Sequence, residues 1–130
     1  MRYMMMIKAD KNYEAGTPPS MEMLAAVGAY SERMMRAGVI LEVGGLLPSS
    51  KGARVRAGGG KLTVTDGPFS EAKELIGGYA IAQAESREAA IKLAKDFMQL
   101  HVDVLGPTYE GECEIRQMHD PSGPVQCEQQ

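Results

Sequence analysis

The sequence predicts an α+β fold of the ferredoxin-like kind, in which one antiparallel sheet carries two helices on a single face and a β-hairpin is inserted between two of its strands. Three features point there. Set apart from the hairpin, the hydrophobic periodicities run strand, helix, strand, strand, helix, strand, the order of a split pair of crossover units. Ser20 and Ser86 each precede a stretch of helical period, as helix caps do. Gly58-Gly59-Gly60 stands between two short segments of alternating polarity, the mark of a glycine-turned hairpin.

The elements follow in order. Tyr3 to Ile7 is a continuous apolar run ended by Lys8, Asp10 and Asn12, which reads as a central strand. A loop of turn formers leads to Pro18-Pro19-Ser20. From there Met23, Leu24, Val27, Tyr30, Met34 and Met35 mark the apolar stripe of a helix that closes at Ala37-Gly38. Val39 to Leu47 reads as a strand broken at Gly44-Gly45, where missing side chains permit a bulge or the close approach of another group. Ala53 to Arg56 and Lys61 to Thr65 form the hairpin. Gly78 to Ala84 is another apolar strand, and Ala90, Ile91, Ala94, Phe97 and Met98 give the second helix its inner face. Glu112 to Met118 alternates as the last strand. Residues 1–118 make one domain, and 119–130, with Pro, Ser, Gly and Gln, read as a flexible tail.

Both helices lie on one face of such a sheet, and the chain has no third helix for the other. A partner subunit is the economical cover, so a homodimer with two sheets face to face is expected. At 130 residues the chain is large enough to bury a core without disulfides or a metal. Its net charge of -3 offers no global attraction to nucleic acid or anionic lipid. Lys51, Arg54, Arg56 and Lys61 are the densest cations and read as the solvent side of the hairpin, so neither nucleic acid nor membrane is expected as a partner. Cys113 and Cys127 have no close Cys or His neighbour to complete a tetrahedral metal site. A reduced, cytoplasmic protein follows. Neither Gly77-Gly78 nor the glycine triplet has the strand-to-helix setting and lysine of a phosphate loop. No cofactor and no metal are expected.

The densest segment runs from Thr65 to Gly78. Asp66 precedes Gly67-Pro68, so its carboxylate either accepts a backbone N–H within the turn or stands at a pocket mouth as a general base. Glu71 and Lys73-Glu74 form a solvated face of a short helical turn, or else Glu71 and Lys73 bracket a polar ligand. His101, at the end of the second helix, either meets the helix carbonyls or turns toward Asp66 as an acid/base partner. Tyr30 is a core ring whose hydroxyl can reach the rim and a ligand. The ten methionines fill an irregular core or line a flexible apolar pocket.

Tyr3-Met4-Met5-Met6-Ile7-Lys8-Ala9-Asp10, Gly38-Val39 leading to Gly45-Leu46-Leu47-Pro48, and above all Asp66-Gly67-Pro68-Phe69 followed by Glu71 and Lys73-Glu74 resemble the YCII-related family in its DGPF-domain branch. The resemblance covers residues 1 to about 118. It implies a ferredoxin-like fold of the dimeric α/β-barrel type, with a pocket between helices and sheet or at the subunit boundary. Some relatives in the wider family are small enzymes acting on aromatic or lactone substrates through a His/Asp pair. Some DGPF genes lie beside genes for extracytoplasmic-function sigma factors. The present chain departs from the His/Asp pattern, since His101 and His119 are its only histidines and neither lies in the first helix or the following strand.

Three functions compete on this reading. The first is a small cofactor-independent enzyme in which Asp66, Glu71 and His101 supply acid/base chemistry on a small organic substrate held by Tyr30, Phe69 and Lys73. The second is a small-ligand-binding or regulatory module built on the same pocket without turnover. In the third, a structural dimer serves a partner such as a sigma factor through the hairpin.

Overall fold

The computed structural model describes residues 1–70 and 74–119, so Glu71 and Lys73 and the tail from residue 120 lie outside the described residues. The described chain is a mixed α+β structure with antiparallel sheets. Its elements are β1 (Arg2–Lys8), α1 (Lys11–Glu14), α2 (Met21–Arg36), β2 (Ile40–Gly45), β3 (Ala53–Gly58), β4 (Lys61–Asp66), β5 (Ile76–Gln83), α3 (Arg87–Leu105) and β6 (Cys113–Gln117). A single 3-10 turn at Ser49–Lys51 precedes β3. The main sheet has the order β2-β5-β1-β6 and stays open, while β3 and β4 pair as a separate two-stranded sheet.

β1 is central because its run from Tyr3 to Ile7 is apolar and so tolerates a strand neighbour on each side and cover on its faces. It pairs with β5 through Met5↔Ala80 and with β6 through Met5↔Ile115. Side chains alternate across a strand, so Tyr3 and Met5 share one face and Met4 and Met6 the other. Tyr3 and Met5 are buried beneath the helices, with Ile40 of β2 and Ala82 of β5 beside them. α2 contributes Met23 and Tyr30 to this core and α3 contributes Ala90 and Ala94. Met5, Met23 and Ile40, taken from water, each add about 1.5–3 kcal/mol.

Both helix starts are capped as the sequence predicts. Ser20 Oγ accepts from the Met23 N–H at 3.1 Å and Ser86 Oγ from the Ala89 N–H at 3.1 Å. Gly38 follows α2 at φ 74°, a conformation that terminates a helix without the Cβ penalty. In the hairpin, Gly59 and Gly60 both have positive φ (58° and 77°), as a two-residue turn between twisted strands requires.

Two local expectations are corrected. The irregularity in β2 falls between Ile40 and Glu42 rather than at the glycines, since Ile40 pairs with Ala82 and Glu42 with Ile81. Gly44 serves close approach, admitting the Tyr79 ring, whose atoms lie 2.5 to 2.9 Å from where a Cβ would stand. The segment after β1, read as loop, contains α1, capped by Asp10, which accepts from the Tyr13 N–H at 2.6 Å. Among the described residues no helix is long and apolar enough to cross a membrane.

Candidate functional site

A cleft of about 850 Å³ opens between the helix-covered face of the sheet and the helices. Met5 and Ile7 of β1 and Ile40 of β2 form part of its floor, Met23 and Val27 of α2 one wall, and Phe97, His101 and Leu105 of α3 the other. The placement of these walls follows from spacing. Phe97, His101 and Leu105 recur every four residues, and Met23 and Val27 do the same, so each set lies on one helical face. Tyr13 of α1 and Tyr109 of the loop before β6 complete the lining at the sheet end.

His101 is the one imidazole in this lining. Its Nδ1 lies 2.9 Å from the Phe97 carbonyl oxygen. A carbonyl can only accept, so Nδ1 carries the proton, and in the neutral ring the Nε2 lone pair is left for a ligand. The ring is held on two sides. It meets Phe97 edge-on with centroids 4.8 Å apart and stacks on Tyr109 at 5.5 Å and 26°. Phe97 in turn leans on Tyr30, at 5.6 Å. The four rings make a continuous ladder from the core to the cleft. Burial raises the pKa of the Tyr109 hydroxyl above its ordinary value, with Asp10 and Cys113 adding to the effect. Burial likewise raises that of Tyr30, helped by Asp96 and opposed by Arg33. Both phenols therefore stay neutral.

A second cluster fastens the cleft rim. The Glu14 carboxylate accepts the Ser49 N–H at 2.7 Å and the Ser49 hydroxyl, and Ser49 Oγ accepts the Phe69 N–H at 3.0 Å. These bonds hold the Glu14 carboxyl below its ordinary pKa, the Ser49 hydroxyl contributing most. The Tyr13 hydroxyl donates to the Leu46 carbonyl. α1, the 3-10 turn and the turn after β4 are thereby linked in series.

The sequence-predicted residues divide between these two places. His101 lines the cleft, and Tyr30 is buried one ring behind it. Asp66 is exposed at the end of β4, paired with Ala53, and is not among the cleft residues. The Phe69 N–H, one of those within reach of Asp66 by turn spacing, goes to Ser49 instead. Phe69 lies beneath the Arg54 guanidinium, whose carbon stands 3.8 Å from the ring centroid. Glu71 and Lys73 fall outside the described residues. Asp10, Tyr13, Glu14, Ser49 and Tyr109 were missed. Asp10 carried a readable signal in its N-cap spacing to Tyr13, and Tyr109 in its position in a loop joining a helix to the last strand. Among the described residues no group of three His, Cys, Asp or Glu side chains is placed to hold a metal ion.

The pattern of the YCII-related domain matches residues 1–99 of the chain. An uncharacterized protein of Rhizobium meliloti (strain 1021) is 31% identical over 70 residues, which is 54% of this chain and 56% of that protein. The chain thus spans about half the length of the curated relative it matches.

Proposed function

The chain belongs to the YCII-related domain family, and from that premise we propose that its cleft binds a small, largely apolar organic molecule carrying one hydrogen-bond donor, which His101 Nε2 accepts. The observation that carries this reading is the His101 ring itself, with Nδ1 committed to the Phe97 carbonyl and aromatic neighbours packed on two sides. An apolar cleft with a few fixed polar groups is the usual form of a small-molecule site. The surrounding methionines and leucines supply area, and the imidazole supplies orientation.

The same lone pair accepts a proton from a sufficiently acidic ligand, so acid/base turnover is the second reading, with His101 as its base. In both, Tyr30 braces Phe97 from the core. Asp66 and Phe69 belong to the turn fastened to Ser49, and the sequence of that turn supports a place in the DGPF branch. The strand order β2-β5-β1-β6, with its two helices, supports the ferredoxin-like arrangement with β3 and β4 inserted. The sheet face away from the helices carries Met4, Met6, Tyr79 and Ile81, directly paired across strands. A second copy covers this face, sheet against sheet.

The test is fluorescence titration with 2-naphthol and with 2-methoxynaphthalene, in which a methyl group replaces the donor hydrogen on the same oxygen. The expected result is tighter binding of 2-naphthol by roughly tenfold, the equivalent of one good hydrogen bond, and loss of that preference in His101→Phe. Equal affinity of the two compounds for the unaltered protein would overturn the proposal.

A further inference from the structure

We propose that the β3 and β4 hairpin is an arm that docks on a second copy of this chain. This goes beyond the cleft and beyond the sheet-to-sheet contact. All six residues of each strand are exposed. The register places Val55 opposite Val64 and Ala57 opposite Leu62, so these four share one face. Val55, Leu62 and Val64 keep 67%, 76% and 64% of their area exposed. Arg54 and Arg56 occupy the other face. A two-stranded hairpin is marginal in water on its own, and an apolar face of this kind normally has an occupant.

Charge and apolar complementarity identify the occupant. Residues 51–66 carry four cations against one carboxylate, whereas the remainder of the chain carries ten cations against sixteen carboxylates. The arm is therefore attracted to the body of another copy, and two arms repel. The body also offers an apolar counterpart. β2 is the edge strand of the sheet, and Leu41, Leu46 and Leu47 in and after it are 43%, 38% and 72% exposed. An arm laid along that edge buries apolar surface on both sides, while the opposite net charges of arm and body draw the two together at longer range.

Hydrogen–deuterium exchange of the arm amides, followed across protein concentration, tests the inference. The expected result is slower exchange in residues 53–66 as concentration rises. The Leu62→Lys/Val64→Lys and Arg56→Glu/Lys61→Glu variants should each need at least tenfold more protein for the same protection. Because the altered side chains are exposed, an unchanged melting temperature of the dilute variants confirms that they fold. A sheet-to-sheet dimer whose arm exchanges equally fast at every concentration would overturn this inference alone. A monomer at every concentration would overturn both it and the sheet contact. Protection appearing only with phosphatidylglycerol vesicles would overturn it in favour of a lipid surface.

Discussion

Gly67 and Ser49 meet backbone to backbone. A Cβ on residue 67 would overlap the Ser49 carbonyl oxygen and stand 2.7 Å from its carbon, while the Gly67 N–H bonds the Gly52 carbonyl at 2.9 Å. The Asp-Gly-Pro-Phe turn therefore requires glycine at its second position for space, because the obstacle is main chain and has no rotamer to change.

Gly67→Ala is expected to destabilise the protein by about 1–3 kcal/mol in chemical denaturation, as overpacking does. Gly45→Ala is the control, since nothing lies within 4 Å of where its Cβ would stand. It should change stability by less than about 0.5 kcal/mol. Equal effects of the two substitutions would contradict the contact.

Glu14 gives the rim a pH dependence with a definite sign. Its folded pKa lies below the ordinary value of 4.5, so its stabilising contribution is complete above 4.5 and is lost as pH falls through the lowered folded value. The gap in melting temperature between the unaltered protein and Glu14→Gln should be open at neutral pH and close in acid. A gap of constant size across that range would show that the carboxylate charge is irrelevant to the Ser49 contact.

Cys113 should be slow toward thiol reagents. Burial pushes its pKa from 9.0 up to about 11, despite the favourable backbone contact with Met6. Roughly a hundredfold less thiolate is then present at mildly alkaline pH. With Cys127→Ser removing the second thiol, reaction with a disulfide reagent should accelerate by that order on adding denaturant. A folded rate equal to the unfolded one would show that the thiol is not shielded.

The proposed sheet-to-sheet contact predicts a dimer at micromolar concentration in sedimentation equilibrium. Met6→Lys/Ile81→Lys places two charges at its centre and should yield monomers. A 14.0 kDa particle for the unaltered protein would remove the sheet contact.

Much of the architecture was legible because each main element carries its own local signal. Ser20 and Ser86 announce their helices by cap chemistry, and Gly59-Gly60 announces the hairpin by the positive φ it alone tolerates easily. The register of β2 was not legible. The shift near Leu41 depends on how Ile40 meets Ala82 in β5, a tertiary fit with no sequence marker. The site was half legible. His101 was singled out, but its partner was sought in Asp66, which shares a conspicuous motif and not a location. The rings that hold it, Phe97 and Tyr109, lie four residues before it and eight after. Only the end of α3 at Gly106 turns the second back onto the first. Glu14 and Ser49, 35 residues apart, have no common pattern at all.

Everything proposed for the cleft rests on His101 Nε2 receiving the donor of a bound ligand. The ¹⁵N resonance pair of the His101 imidazole, recorded with and without saturating 2-naphthol, reads that contact without an intermediary. The Nε2 signal is expected to move as an acceptor taking a hydrogen bond while Nδ1 keeps its proton. An Nε2 signal unchanged at saturation would contradict it.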